Sequence, residues 1–360
     1  MQIGIVGLPL SGKTTLFQTL AHTHLDEAAM HRQQANIVTV KVPDPRVDAL
    51  AEVFKPRKKS YTSIEFVDVV GLKKGDRDST QFTQGFLANV KTNDALIHVV
   101  RRWDDPQYPH PEGSLDPVRD IRILETEFIL SDLSMIENRI ERIRKQLLKA
   151  KDERLVYELH ILEKGKVWLE EERPLRTLSL DPTEKKVVKG FQFLSEKPLL
   201  ALLNMQDDDI GEHDAAVEAV RRAYDGSGLE VDAFFGKIEM ELAQLPDEDA
   251  EAFMAEYGIK ESALSRIIAS AYRSLGLISF LTCGDEECRA WTLRDGASVH
   301  EAAGVIHTDL MQRFIRAEVV HFDDFMRYGS IAACKEHGHW RLEGKEYIVR
   351  DGDIILIRHN

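Results

Sequence analysis

A glycine-rich loop near the start of the chain constrains the fold more than any other feature. An apolar run from Gln2 to Val6 indicates a short buried strand, and Gly7 to Thr14 then match the spacing G-x-x-x-x-G-K-[ST]. Leu16, Phe17 and Leu20 follow at helical spacing, so the loop joins a strand to a helix N-terminus. Such a junction offers backbone N–H groups and a partial positive charge to phosphate. We predict an α/β fold with a phosphate-binding loop; the alternative is a chance glycine-rich turn.

The residues of this loop have separate roles in binding a nucleotide. Gly12 lets the backbone approach the phosphates, Lys13 reaches the β- and γ-phosphates, and Thr14 ligates Mg²⁺. The predicted nucleotide-binding residues of the loop are Gly7, Leu8, Pro9, Leu10, Ser11, Gly12, Lys13, Thr14 and Thr15. A loop of this type is shared by kinases, ATPases and GTPases, so the choice among them depends on the rest of the chain.

The composition narrows the class of protein. The chain has 360 residues, enough for two or three domains, and its net charge of −14 argues against broad binding to nucleic acid, so we expect no DNA partner. No apolar run approaches the ~20 residues that cross a membrane, so we expect no membrane partner. Three cysteines without a C-x-x-C pair are typical of a reducing compartment. A first strand that starts at Gln2 predicts no signal peptide, and we expect a cytoplasmic protein.

A second motif places a metal ligand after another strand. Ser63 to Val67 form a strand pattern that runs into Asp68-Val69-Val70-Gly71. An aspartate at the end of such a strand can hold Mg²⁺ through water, and a glycine three residues later can offer its N–H to the γ-phosphate. We predict that Asp68 and Thr14 hold the metal and that Gly71 contacts the nucleotide. A turn or a helix cap is the alternative.

A third motif is suited to recognising the base. The apolar strand from Pro198 to Leu203 ends in Asn204-Met205-Gln206-Asp207, where GTPases carry N-K-x-D. The aspartate of that motif accepts two hydrogen bonds from guanine, and adenine has no such donors. Here Met205 replaces the lysine. We predict base contacts from Asn204, Met205 and Asp207, with a solvated acidic loop as the alternative.

Further segments complete a resemblance that runs along essentially the whole chain. They include Val42-Pro43-Asp44-Pro45-Arg46, Phe86-Leu87-Ala88-Asn89, Asp94 through Arg101, Arg289-Ala290-Trp291-Thr292 and Asp351-Gly352-Asp353-Ile354-Ile355. With these residues, the sequence resembles the YchF subfamily of Obg-like P-loop GTPases. The resemblance implies slow hydrolysis of a purine nucleoside triphosphate and association with ribosomes.

The resemblance also implies a domain organisation. It predicts a P-loop NTPase sheet at 1–125 and 195–276, an inserted antiparallel coiled coil at 126–194, and an α+β ubiquitin-like (TGS, or β-grasp) domain at 277–360. The insertion has its own signature, since apolar residues recur at heptad spacing. They are Ile129, Leu133, Ile136, Ile140, Ile143 and Leu147.

The helical arm also carries a basic patch on an otherwise acidic protein. Near its tip lie Lys145, Lys149, Lys151 and Arg154. We predict a contact with the ribosome or ribosomal RNA through the arm and the TGS domain. An ordinary solvated coiled-coil face is the alternative.

Hydrolysis requires a group that positions water. Family members have a hydrophobic residue after D-x-x-G, here Leu72, which neither orients nor deprotonates water. In related members a histidine after the His-Val-Val-Arg strand serves this role, and counting back from Asp116 and Pro117 gives His110 as the catalytic candidate. The alternative is an ordinary loop histidine. We expect slow turnover, stimulated by K⁺ or by a ribosome.

Two departures from the family pattern affect the nucleotide site. The segment from His31 to Asn36 stands where the family has a threonine-containing switch, and it contains no threonine. In the family pattern, this threonine would take part in sensing Mg²⁺ and the γ-phosphate. Asp207 stands where the family, which prefers ATP, has glutamate. In the loop that backs the base, Gly236 is predicted to offer its N–H. The sequence leaves open whether the chain binds a guanine or an adenine nucleotide, with a slight preference for GTP.

Two functions from different classes remain open on these grounds. The leading prediction is an NTPase, with GTP or ATP as substrate and Mg²⁺ as cofactor, that acts as a ribosome-associated switch. The alternative is a nucleotide-binding regulatory module with little or no hydrolysis, which Leu72 and the altered switch segment favour. A small-molecule kinase would need an arginine-rich lid, and the sequence shows none.

Overall fold

The computed structural model describes residues 1–23, 36–69, 83–256, 259 and 262–360. The chain divides into two compact units: unit 1 comprises Met1–Thr39 and Glu65–Ile267, and unit 2 comprises Val40–Ile64 and Ile268–Asn360. Each unit is built around one six-stranded sheet. Among the described residues, no helix combines the length and the apolar character needed to span a bilayer.

The strands are numbered along the chain. They are β1 (Gln2–Val6), β2 (Ile37–Lys41), β3 (Lys58–Ser60), β4 (Ser63–Asp68), β5 (Ala95–Arg102), β6 (Leu199–Met205), β7 (Leu229–Phe234), β8 (Leu277–Cys283), β9 (Glu287–Arg294), β10 (Phe314–His321), β11 (Arg341–Glu343) and β12 (Asp353–His359).

The α-helices are numbered in the same way. They are α1 (Lys13–Thr23), α2 (Pro45–Phe54), α3 (Gln84–Lys91), α4 (Pro117–Leu147), α5 (Glu153–Glu170), α6 (Pro182–Val188), α7 (His213–Ala223), α8 (Gly236–Leu242), α9 (Asp247–Glu256), α10 (Ala263–Ser274), α11 (Val299–Ile306), α12 (Thr308–Gln312), α13 (Phe322–Tyr328) and α14 (Ile331–Glu336). Short 3₁₀ turns lie at Leu175–Thr177, Lys189–Phe191 and Asp207–Glu212.

The sheet of unit 1 has the strand order β2-β4-β1-β5-β6-β7, and neighbouring strands from β4 to β7 run parallel. Helices cover a parallel sheet on both faces, so its strands are apolar throughout. In β6 every residue is buried. The carboxyl ends of β1, β4, β5 and β6 therefore meet at one edge, where open α/β sheets bind ligands.

The helical arm is formed by α4 and α5. Asp116 caps α4 by accepting from the N–H of Arg119, and residues 148–152 connect the two helices. The heptad positions pack between the helices, with Ile136 and Ile143 buried against Ile161 and other residues of the arm. The apolar seam in the sequence thus corresponds to the buried side of an antiparallel helix pair.

A buried carboxylate ties the arm to the sheet. Asp132 of α4 is fully buried and accepts hydrogen bonds from the N–H of Leu194 at 3.0 Å and from the N–H and Oγ of Ser195, both at 2.7 Å. Burial raises the pKa of the Asp132 carboxyl to about 6, although these hydrogen bonds lower it. The three donors hold α4 against the chain that leads into β6.

The sheet of unit 2 has the strand order β11-β10-β12-β8-β9-β3, and β3 pairs with β9 in parallel. The strand β3 and the helix α2 come from Val40–Ile64, within the range that sequence analysis assigns to the nucleotide-binding domain. The fully buried side chains of Val47 and Leu50 on α2 belong to an apolar cluster with Leu281 and Phe325. The residues of 40–64 thus form part of the core of the C-terminal unit.

Arg46 of the Val-Pro-Asp-Pro-Arg motif holds α2 in place within unit 2. Its guanidinium donates to Asp44 at 2.8 Å and to Asp351 at 2.7 Å, and Asp351 also accepts from the N–H of Ser279. A Cβ at Gly352 would lie 2.9 Å from the same guanidinium, so glycine leaves room for it. The motif therefore has a structural role in this unit.

Candidate nucleotide-binding site

The phosphate loop requires glycine at two positions because atoms of the neighbouring strands come close. A Cβ at Gly7 would lie 2.4 Å from the carbonyl oxygen of Val99 on β5, and a Cβ at Gly12 would lie 2.2 Å from Nδ2 of Asn204 on β6. Gly12 also has a φ of 101°, which L side chains rarely adopt. The helix α1 starts directly afterwards, so its first N–H groups border the loop.

Lys13 occupies the centre of the loop. Its Nζ donates to the carbonyl oxygens of Gly7 at 3.0 Å and Leu8 at 2.8 Å. Burial lowers the pKa of the Lys13 ammonium to about 8, and the charge of Asp68 opposes this shift. A partly buried ammonium is suited to binding a polyphosphate, because the negative charge of the phosphates would raise the pKa of Lys13 again.

Asp68 and Thr14 carry the oxygen atoms expected of a magnesium site. Asp68 ends β4, and burial raises the pKa of its carboxyl while the charge of Lys13 lowers it. Asp68 is also paired in register with Ile5 of β1, the strand that leads into the phosphate loop. Thr14, the second residue of α1, is exposed. A carboxylate and a hydroxyl are ligands that Mg²⁺ prefers, so the donor set fits this metal.

Three sequence predictions fall on residues outside the described part of the chain. Gly71, Leu72 and the altered switch from His31 onward all lie there, apart from Asn36. The carbonyl oxygen of Asn36 accepts from the N–H of Asp68 at 2.9 Å. The end of the first switch segment therefore borders the strand that carries the predicted metal ligand.

A cavity of about 450 Å³ brings the loop and the base motif together. Its walls include six of the predicted nucleotide-binding residues: Gly12, Thr15, Asn204, Met205, Asp207 and Gly236. It adjoins the N-terminus of α1 and the carboxyl end of β6. Two residues of the phosphate loop and the four residues assigned to the base thus line one continuous space.

Asn204 connects the two halves of this space. Its Nδ2 donates to the carbonyl oxygen of Ser11 at 2.9 Å, and its Oδ1 accepts from the N–H of Gly236 at 3.2 Å. The side chain is buried, and both ends of its amide are used by the protein. Asn204 therefore positions the loops around the cavity.

The other two residues of the base motif differ in environment. Met205 is 2% exposed and packs into the apolar cluster beneath the cavity, so little of its surface reaches the opening. Asp207 is partly exposed, and its Oδ2 lies 3.3 Å from Nζ of Lys237. A neighbouring lysine therefore offsets the charge of the carboxylate that was predicted to read guanine.

His110 is held away from water by two contacts. Its Nδ1 accepts from the N–H of Glu112 at 3.1 Å, which leaves the proton on Nε2, and Nε2 lies 3.0 Å from Oδ2 of Asp120. Asp120 is itself buried in the first turn of α4. Both ring nitrogens lie against protein atoms in this arrangement, and the catalytic role of His110 stays a prediction.

Two family models match the chain. One, named YchF-GTPase_C and described as a protein of unknown function, matches residues 277–360. The other, described as a 50S ribosome-binding GTPase, matches residues 2–130. The protein named ribosome-binding ATPase YchF from Bacillus subtilis (strain 168) is 39% identical over 361 residues, which cover 99% of this chain and 98% of the relative. The chain belongs to the YchF family.

Other relatives agree with this assignment. The ribosome-binding ATPase YchF of Haemophilus ducreyi is 40% identical over 359 residues, covering 99% of this chain and 98% of the relative. The Obg-like ATPase 1 of Pongo abelii is 35% identical over 368 residues, covering 100% and 92%. A solved structure of the Schizosaccharomyces pombe YchF GTPase superposes with a TM-score of 0.88 at 30% identity, covering 99% and 97%. The predicted fold class is confirmed.

Part of the cavity in this YchF-family chain was not predicted from the sequence. Trp103, Asp105 and Met240 also line it, together with Lys237. Trp103 follows directly on the carboxyl end of β5, and an aromatic residue at that edge of a parallel sheet was the available signal. Lys237 stands next to the predicted Gly236, but its ion pair with Asp207 depends on how two separate loops approach each other.

Proposed function

We propose that this chain binds a purine nucleoside triphosphate together with Mg²⁺, hydrolyses its terminal phosphoanhydride slowly, and acts as a ribosome-associated switch. The observation that carries the proposal is the cavity lined by Gly12, Thr15 and Asp207, whose two sides are joined by the hydrogen bonds of Asn204. The names of its relatives, ribosome-binding ATPase YchF and YchF GTPase, support both the reaction and the partner.

The phosphates would lie against the loop from Gly7 to Thr15. The N–H groups at the start of α1 and the ammonium of Lys13 would bind the β- and γ-phosphates. Thr14 and Asp68 would hold the metal. Gly71 would donate its N–H to the γ-phosphate. A metal held by these residues would neutralise negative charge on the phosphates as it develops during hydrolysis.

The base would enter the cavity between Trp103, the edge of Met205 and Gly236, whose N–H already donates to Asn204. Asp207 would select guanine only if it accepts from the ring, and Lys237 competes for the same oxygens. We therefore propose GTP or ATP as substrate, with the ion pair between Asp207 and Lys237 setting the preference.

The ribosome contact is proposed for the arm tip together with the TGS domain. Lys145, Lys149, Lys151 and Arg154 are all exposed there, and the side chain of Leu148 between them is 87% exposed. Cations around an exposed apolar residue suit the phosphates and base faces of RNA. This patch would supply a local attraction that the acidic chain as a whole lacks.

One experiment tests the proposed function as a whole. ATP and GTP analogues would be titrated into the purified chain and into Lys13→Ala by calorimetry, and phosphate release would be measured with and without ribosomes and K⁺. We expect micromolar or tighter binding that Lys13→Ala weakens by about tenfold or more. Absence of binding to the wild-type chain would refute the proposal.

Turnover decides between the two functions. Measurable release that ribosomes accelerate supports the switch, whereas tight binding without release supports a regulatory module. The contact between Nε2 of His110 and Oδ2 of Asp120 favours the second function, since an imidazole held against a buried carboxylate does not orient water. A double variant, Lys149→Glu with Lys151→Glu, should lose co-sedimentation with ribosomes and keep its nucleotide affinity.

A further inference from the structure

Arg101 buries a guanidinium group next to the proposed base cavity. It lies near the end of β5, is 1% exposed, and donates from Nε to the carbonyl oxygen of Trp103 at 2.9 Å. Its Nη1 and Nη2 are buried and have no hydrogen-bond partner among the described residues. The guanidinium carbon lies 3.6 Å from the centroid of the Trp103 ring.

This arrangement is costly for the fold. A charge removed from water without hydrogen bonds to replace the solvent destabilises the folded state. Burial lowers the pKa of the Arg101 guanidinium, but Asp104 and Asp105 oppose the shift and the group stays charged. The π face of Trp103 provides the main compensation, since a desolvated cation over an indole is attracted by its quadrupole.

The ring that Arg101 covers is also a wall of the base cavity. Trp103 lines the space that contains Met205, Asp207 and Gly236. Because the guanidinium occupies one face of the indole, Trp103 can offer the cavity only its other face or its edge. The bond from Nε to the Trp103 carbonyl fixes the backbone at the same place, so one side chain restrains both the ring and its attachment.

We propose that Arg101 is a positioning residue that holds Trp103 in the orientation required by the nucleobase. The inference rests on the proposed function, since it assigns a role within the same nucleotide site. A planar guanidinium can stack on the indole and donate from Nε to the Trp103 carbonyl at the same time. A lysine ammonium is a compact charge and cannot make both interactions in the same way. Through Trp103, Arg101 would influence binding of the base and would not influence binding of phosphates to the loop.

The test compares ligands with and without a base. Arg101→Met and Arg101→Lys would be titrated with ATP, GTP and inorganic tripolyphosphate. Arg102→Met is the matched control, because Arg102 is the next residue and pairs instead with Asp209 and Glu212. Both Arg101 variants should bind the two nucleotides about tenfold more weakly. Tripolyphosphate should bind them as it binds the wild type, and the control should bind all three ligands unchanged.

Three results would overturn the inference. Unchanged nucleotide affinity in both Arg101 variants excludes a positioning role, and an equal loss for tripolyphosphate indicates a general structural effect. If the wild-type chain binds neither ATP nor GTP more tightly than tripolyphosphate, the proposed function and the inference fail together. Should Arg101→Met not fold, Trp103→Leu and the double variant Trp103→Leu with Arg101→Lys answer the question. The lysine substitution should then have no further effect on nucleotide affinity.

Discussion

The side-chain amide of Asn204 joins the phosphate loop to the loop that backs the base: it donates to the carbonyl oxygen of Ser11 and accepts from the N–H of Gly236. A Cβ on Gly12 would collide with the same amide nitrogen. The two parts of the proposed site therefore share one residue. Its amide can perform this role without contacting a phosphate or a base. Its orientation depends on both loops being in place.

Replacing Asn204 should weaken the whole site. In Asn204→Asp the donor to the Ser11 carbonyl becomes a carboxylate oxygen, and two acceptors then face each other in a buried place. We expect the affinity for nucleotides and for tripolyphosphate to fall together, each by about tenfold or more. Calorimetry with the three ligands checks this, and loss of nucleotide affinity alone would contradict it.

Binding should take up a proton at alkaline pH through Lys13. Burial lowers the pKa of Lys13 in the free protein to about 8, so the ammonium loses its charge as the pH rises above that value. A bound triphosphate favours the charged form, so the affinity should fall with rising pH between about 8 and 10. Calorimetry in two buffers with different ionisation enthalpies measures the uptake. Lys13→Arg, which stays charged, should show none; uptake absent from the wild type would refute the linkage.

Replacing His110 separates catalysis from structure. If His110 acts only in the transition state, His110→Ala should lower kcat by about tenfold or more and leave the nucleotide affinity near wild type. Asp120→Asn serves as the comparison, because it removes the carboxylate that lies against Nε2 and leaves the imidazole. Wild-type turnover in His110→Ala, with reduced stability in both variants, would identify the pair as structural.

The base preference should respond to Lys237. If Asp207 reads guanine, Lys237→Ala removes its competitor and should shift the preference toward GTP by several-fold, whereas Asp207→Ala should erase any preference for GTP. Competition between ATP and GTP for the wild type and both variants gives the ratios. A preference for ATP that is the same in all three would place Asp207 outside base recognition.

Asp132 should make the stability of the arm depend on pH. Asp132→Asn replaces an acceptor oxygen by an amide NH₂ group that faces N–H donors, so we expect the unfolding free energy to fall by about 1–3 kcal/mol. The pKa of Asp132 is raised by folding, so its favourable contribution is complete below the unfolded pKa of 3.8 and is lost as the pH rises through about 6.

The difference between wild type and Asp132→Asn should therefore grow by roughly 1 kcal/mol when the pH is lowered from about 7 to about 5. Denaturant melts at both pH values measure it. Asp214→Asn on an exposed side chain is the control and should show little change. A difference that shrinks at low pH would contradict the raised pKa.

Local patterns in the sequence were sufficient for the phosphate loop and the arm. Gly7 and Gly12 mark a loop whose geometry depends on contacts with the next strands, and the isoleucine seam of α4 follows from helical periodicity. The base motif was predicted because Asn204 lies near the end of an apolar strand, and its contact with a base stays a prediction. Each of these signals is carried by residues close together in the chain.

Other features depend on distant residues. The parallel pairing of β3 with β9 joins Ser60 to Arg289, and no local pattern of residues 58–60 specifies such a partner. The burial of Arg101 is equally hidden, because an arginine at a strand end usually reaches water. The ion pair between Asp207 and Lys237 requires two loops whose approach is set by β6 and β7.

The membership of residues 40–64 in the second unit determines how the chain can be cut. A fragment that stops before β8 would keep α2 and β3 but lose the strands they pack on, so the apolar surface of Val47 and Leu50 would face solvent. Such a fragment would tend to aggregate. Because the two units interleave along the chain, neither corresponds to one contiguous stretch of gene. Recombination at a single breakpoint cannot exchange one for a homologous module, and the two must be inherited together.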